Sequence, residues 1–127
     1  MTRPGSDRER RRRAWYRGRL AEAAAEVHLR LKGFGIIGRN VRTPVGELDI
    51  VARRRDLVVF AEVKARQDWQ TAAESLRPRQ MARIVRAAEA FLARRADLAQ
   101  SRVRFDVFLI SPWRWPRHLE DAWRPEA

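Results

Sequence analysis

The sequence predicts one α/β domain, a mixed sheet covered by helices in the order helix, three strands, helix, strand. Two helical stretches with apolar residues at three- and four-residue spacing bracket a run of short apolar segments broken by turn residues. A third segment of alternating apolar residues follows the second helix, which requires a helical crossover, right-handed by rule, back into the sheet. The 127 residues are enough for a single core and too few for a second domain.

Residues 1–13 are polar, contain Pro4 and Gly5 and end in Arg10-Arg11-Arg12-Arg13, the composition of a disordered basic arm ahead of a domain at 14–127. From Ala14 to Lys32 the pattern is helical, with Leu20, Ala24, Val27 and Leu31 on one face and Arg19, Glu22, Glu26 and Arg30 on another. Gly33 and Gly35 end it. Phe34 to Val41 reads as the first strand and Thr43-Pro44 as its exit. Leu48 to Val51 and Leu57 to Phe60 then form a hairpin around a turn at Arg53–Asp56. Asp68 to Ser75 is a loop near the end of the strand that carries Lys64. Pro78 suits the first turn of the second helix, which runs to Arg95 with Met81, Ile84, Val85, Ala88, Phe91 and Leu92 inward. Val103 to Ile110 alternates as the last strand. The Trp- and Pro-rich tail from Pro112 packs as an irregular segment. Trp113, Trp115 and Trp123 read first as packing anchors and second as base-stacking groups.

Composition narrows the function. With 28 basic and 16 acidic residues the net charge is +12, which favours a polyanionic partner, nucleic acid before anionic membrane. No stretch approaches a membrane span, and the start of the chain lacks the apolar core of a secretory signal, so a cytoplasmic protein is expected. The absence of cysteine excludes disulfides, thiolate metal sites and cysteine nucleophiles, and two histidines disfavour a zinc site. A metal, if used, is a hard ion held by oxygen, magnesium or manganese.

The sharpest local signal is Gly46-Glu47-Leu48-Asp49 followed by Glu62-Val63-Lys64. Centring the hairpin on its turn sets Asp49 about opposite Glu62, and the two-residue strand period puts Lys64 and Glu47 on that face. Facing carboxylates repel and need a counter-charge, which a divalent cation supplies. Lys64 is notable because every other basic residue except Lys32 is arginine. A lysine ammonium is a compact charge that can orient or deprotonate a water and stabilise a pentavalent phosphate. The residues alone leave a second reading open, a same-face ion pair of Glu62 and Lys64 on an exposed strand with Asp49 a chance neighbour. Arg79, Arg83 and Arg86 form either a solvated helix face or a phosphate-tracking ridge. Asp106 and Arg104 read as a structural pair, and His28 and His118 as surface or packing residues.

These motifs resemble the YraN-like family of small bacterial proteins, in the PD-(D/E)XK nuclease superfamily. The resemblance covers Gly18 to Trp123. It rests on Gly18-Arg19-Leu20-Ala21-Glu22, Gly33-Phe34, Arg39-Asn40, Gly46-Glu47-Leu48-Asp49-Ile50-Val51-Ala52, Val59-Phe60-Ala61-Glu62-Val63-Lys64-Ala65-Arg66 and Arg104-Phe105-Asp106-Val107. It implies a restriction endonuclease-like core in which Asp49 and Glu62 bind magnesium and Lys64 orients the attacking water. Glu22, with Glu26 as the weaker substitute, stands where some members add a carboxylate from the first helix. Where relatives carry lysine at the start of the second helix this chain has Arg79-Gln80, so a phosphate or water contact there passes to Gln80 or Arg79. The motif proline is absent before Asp49. The expected activity is metal-dependent hydrolysis of DNA phosphodiesters, on branched or damaged DNA in repair or recombination. Arg66, Arg79, Arg83 and Arg86 would position the backbone, and a homodimer would present two sites to two strands. The alternative is a non-catalytic nucleic-acid-binding module of the same fold, and a third is an RNA-binding accessory protein.

Overall fold

The computed structural model describes residues 7–68, 70 and 74–125. Helix α1 spans Asp7–Leu31 and is followed by strands β1 (Gly35–Thr43), β2 (Gly46–Arg54) and β3 (Leu57–Ala65), helix α2 (Pro78–Ala93), a short 3₁₀ turn (Ala96–Leu98), and strands β4 (Arg102–Ile110) and β5 (Arg117–Trp123). The five strands form one sheet in the order β1-β2-β3-β4-β5. All neighbours are antiparallel except β3 and β4, which α2 joins in parallel. The expected α/β class and mixed sheet are therefore present, with a fifth strand added.

Helix α1 starts earlier than its sequence suggests. Asp7 to Arg13, assigned above to a disordered arm, is helical, because no breaker follows Gly5 and arginine and glutamate are good helix formers. Acidic Asp7 and Glu9 suit the positive end of the helix dipole, and Glu9 pairs with Arg13 one turn on. Residues 1–6 of that arm lie outside the described residues, as do 69 and 71–73 of the Asp68–Ser75 segment. That segment, expected above as a loop, is helical at its described Gln70 and Glu74, and Gln70 Nε2 donates to Glu74 Oε1 at 3.2 Å. Gly33 stops α1 as expected. Its left-handed φ of 90° admits a C-terminal cap in which Phe34 N–H donates to the Leu29 carbonyl at 3.0 Å.

The inward face of α1 also differs from expectation. Ala21, Ala25 and Leu29 are buried, whereas Leu20, Val27 and Leu31 are 70, 56 and 82% exposed. Small residues at four-residue spacing let the helix lie close on the sheet, where Ala25 and Leu29 meet Ile50, Ala52, Val59, Ala61 and Phe108. On the other side of the sheet α2 packs Ile84, Ala87 and Ala88 against Leu48, Val51, Val58, Phe60 and Phe105. Pro78 occupies its first turn, as the sequence predicts.

The tail is the second correction. Arg117–Trp123 is not irregular but an edge strand paired with β4. A buried polar cluster holds it. Asp106, with no exposed surface, accepts two hydrogen bonds from the Arg104 guanidinium (2.8 and 2.9 Å), one from Asp121 N–H (3.0 Å), and pairs with His118 Nε2 at 2.6 Å. Burial opposes ionisation of Asp106, but the bonds from His118, Arg104 and Asp121 outweigh it and keep the carboxyl below its ordinary range. Asp106, Arg104 and His118 are thus structural, as expected. Trp123 stacks on Phe105 at 5.3 Å and is a core anchor, while Trp113 and Trp115 project into solvent.

The orientation of α1 has a direct test. Leu29→Ala should cost about 2–5 kcal/mol of unfolding free energy in urea, and Leu31→Ala within about 0.5 kcal/mol of nothing. Equal costs would mean that the helix presents the other face to the sheet.

Candidate functional site

Strands β2 and β3 pair from Arg54↔Leu57, across the two-residue turn Arg55-Asp56, to Ile50↔Ala61. The ladder ends there. Had it continued, Asp49 would face Glu62, but the Asp49 side chain takes the place of the backbone and accepts a hydrogen bond from Val63 N–H at 2.9 Å. The carboxylate is therefore fixed at the split between the strands. Glu62 and Lys64 continue the row that Val58 and Phe60 begin on the α2 side. That row is buried, so neither residue lies on an exposed strand. Glu62 and Lys64 are 7 and 8% exposed, and their ion pair measures 3.3 Å.

Gln80, on the first turn of α2, donates from Nε2 to Glu62 Oε1 at 3.1 Å. Its role here is to hold a carboxylate. From the opposite side, Glu22 of α1 lines a cleft of about 370 Å³ with Asp49, Arg17, Val63 and Arg66. Burial and the neighbouring Asp49 carboxylate raise the Glu22 pKa, and Arg19 and a hydrogen bond from Asn40 partly restore it. Asn40 sits on β1 at φ 46°, a left-handed conformation that asparagine tolerates better than most residues. Arg66 donates from its side chain to its neighbour's carbonyl, Ala65 O, at 2.7 Å.

Other expected site residues fall elsewhere. Glu26 is bound by Arg39 and Arg30, which lower its pKa and tie β1 to α1, so it is not a substitute for Glu22. Glu47 is exposed and pairs with Arg42 at 3.4 Å, although its charge adds to that felt by Asp49 and Glu22. Arg79, Arg83 and Arg86 stand on the exposed side of α2. The stem of Arg83 packs against Gly46 at the start of β2, where a Cβ would meet it at 3.1 Å. Sequence reasoning gave no role to Asn40 or Arg17. Asn40 belonged to a motif without a visible partner, and Arg17 was one of 28 basic residues with nothing to single it out.

The electrostatics are those of a site short of positive charge. Burial raises the pKa of Asp49, against the hydrogen bond from Val63. Burial and the Asp49 charge push Glu62 up to about 8, with Lys64 only partly offsetting them. Two oxygen donors that resist simultaneous ionisation fit a hard divalent cation such as Mg²⁺ or Mn²⁺. Among the described residues no group of three or more His, Cys, Asp or Glu side chains is arranged to enclose an ion, so the fit rests on the Asp49 and Glu62 pair. None of the described helices is long and apolar enough to cross a membrane.

Fold and site together define a small α/β domain with a buried carboxylate–lysine site where two strands part. Residues 21–110 match the uncharacterised protein family UPF0102, and the chain belongs to that family. It is 54% identical over 112 residues to the UPF0102 protein of Paramagnetospirillum magneticum, covering 85% of this chain and 87% of that one. Identity to the UPF0102 protein of Parvibaculum lavamentivorans is 50% over 112 residues, 88 and 84% of the two chains. For that of Mesorhizobium japonicum it is 45% over 120 residues, 94% of each.

The raised pKa of Glu62 sets a pH dependence. Between its ordinary value of 4.5 and about 8 the folded chain holds a proton that the unfolded chain releases, so raising the pH across this window destabilises the metal-free fold. In EDTA, the melting temperature of Glu62→Gln minus that of the wild type should rise by several degrees from about pH 5 to about pH 8. A constant difference would place Glu62 in an ordinary carboxylate environment.

Proposed function

We propose that this protein is a metal-dependent endonuclease of the PD-(D/E)XK type, hydrolysing DNA phosphodiester bonds, with branched or damaged DNA in repair or recombination as its setting. The observation that carries this reading is the burial of Glu62 and Lys64 at 3.3 Å from one another, beside an Asp49 whose carboxylate is fixed at the end of the β2–β3 ladder. An ion pair kept only for solubility has no reason to be buried, since burial costs both charges their hydration. The YraN-like resemblance and the net charge of +12 point the same way.

In this reading Asp49 and Glu62 hold a Mg²⁺ or Mn²⁺ ion. When bound, the ion supplies Lewis-acid polarisation of the phosphate and neutralises its developing charge. Lys64 orients the water whose oxygen attacks phosphorus as the P–O bond to the leaving sugar oxygen breaks, the water losing a proton to solvent and the leaving oxygen gaining one from it, and the Lys64 ammonium steadies the added negative charge. Gln80 keeps Glu62 from turning away. Glu22 and Arg66, which line the cleft beside Asp49, would hold a second water or a flanking phosphate. Arg79, Arg83 and Arg86 provide sequence-independent contacts along the backbone.

Labelled duplex, single-stranded and four-way-junction DNA, incubated with Mg²⁺ or Mn²⁺ and resolved on a denaturing gel, tests the proposal. Wild type should give metal-dependent products, and Asp49→Asn and Lys64→Ala should each lose about a hundredfold or more in rate. DNA bound equally by all three proteins without cleavage would leave a binding module that keeps the fold alone.

A further inference from the structure

Among the described residues, two tryptophans have no packing role in the core. Trp113 and Trp115, in the turn between β4 and β5, are 103 and 86% exposed, while Trp123 from the same tail is stacked in the core. Trp113 also sits at φ 62°, a left-handed conformation in which a bulky side chain is a true outlier and glycine or asparagine is the usual choice. An exposed indole held at an unfavourable backbone position gains nothing for the fold.

The ground beside Trp115, two residues after Trp113 in the same turn, leads back to the carboxylates. The cleft of Asp49 and Glu22 shares Arg17, Ala21, Ala65 and Arg66 with a second depression of about 480 Å³ that extends to Leu20 and Pro112. That depression shares Ile110 with a third, of about 640 Å³, floored by Ala24, Val27 and Leu31 and walled by Trp115 and Pro116. The apolar face of α1 that does not pack on the sheet is therefore the floor of a track from the site to the tryptophan turn. Its rim is basic, with Arg13, Arg17 and Arg66 near the site and Lys32 and Arg114 at the far end.

We infer that this track binds a single-stranded segment of DNA, with bases stacked on Trp115 and Trp113 and phosphates following the basic rim. Alternating cationic and aromatic groups are the physical requirement for such binding, because every base offers a flat face and every nucleotide a negative charge. A second copy of this chain is disfavoured as occupant by its own charge of +12 and the arginines on the rim. The inference rests on the proposed nuclease reading and refines its substrate to DNA with a single-stranded arm next to the scissile bond. Base pairing would hide the faces that the tryptophans need.

Binding in EDTA separates this from catalysis. The probe is a fluorescein-labelled oligothymidylate of about 15 nucleotides, long enough to cover one site. The proteins are the full chain and its Trp113→Ala/Trp115→Ala, Trp113→Leu/Trp115→Leu and Trp113→Phe/Trp115→Phe variants. The alanine and leucine pairs should each bind about tenfold or more weakly, the phenylalanine pair within about threefold of wild type, and oligothymidylate should quench the wild-type tryptophan emission. Phenylalanine keeps a stacking face and leucine keeps only apolar bulk, so this ordering marks stacking. Equal affinity across all four proteins overturns the inference. So does tryptophan-dependent binding to vesicles containing anionic phosphatidylglycerol when oligothymidylate binding ignores the tryptophans, which would make the track a membrane-docking face. Tryptophan-dependent binding without any cleavage would reject the nuclease reading while supporting the track. Cleavage with tryptophan-independent binding would reject the track alone.

Discussion

The half-buried Asp49 and the buried Glu62 lie side by side at the end of the β2–β3 ladder, and Lys64 is the one ammonium that the strand row supplies to them. That imbalance governs the rest of the site. Asp49 can occupy its position only because the β2–β3 ladder ends at Ile50↔Ala61, and its side chain then satisfies the Val63 N–H that the missing partner strand would have taken. Glu62 is held between Lys64 and Gln80, so α2 is anchored to β3 by a polar contact as well as by Ile84 and Ala88. The carboxylates resist joint ionisation, and the energy stored in their proximity is available to any cation that relieves it.

The same sheet contains a second buried carboxylate that behaves differently. Asp106 has its needs met by Arg104, His118 and Asp121, and its pKa is lowered. A saturated cluster of this kind fixes β5 to β4 and has no capacity left for a ligand. Asp49 and Glu62 have raised pKa values and too few partners. One sheet thus carries a carboxylate whose partners favour its charge and two whose burial disfavours it, and the difference is visible in the sign of the pKa shift.

Much of this was legible in the sequence. The apolar runs on either side of a turn bring Asp49, Glu62 and Lys64 together, although the turn is Arg55-Asp56 rather than the expected Arg53–Asp56, and Pro78, Gly33 and the alternation of β4 mark their elements. The face of α1 was not legible, because Leu20, Val27 and Leu31 outweigh Ala21, Ala25 and Leu29 in any apolar count. The sheet selects the smaller residues for close approach. Strand β5 was hidden too, since Arg117-His118-Leu119-Glu120-Asp121-Ala122-Trp123 has no clean alternation. Its pairing depends on His118 and Asp121 reaching Asp106 on β4, which is a tertiary fact. The contact of Gln80 with Glu62 was invisible for the same reason, as it joins residues on different elements.

The central claim is that the Asp49 and Glu62 carboxylates form an oxygen-donor site for a divalent cation. Crystals of the protein soaked in Mn²⁺ and measured for anomalous scattering test it most directly. The account predicts an anomalous peak within coordination distance of both carboxylates, about 2.0–2.3 Å, that is absent in Asp49→Asn. A map without that peak, with the two carboxyl groups hydrogen-bonded to each other through a shared proton at saturating Mn²⁺, would contradict it.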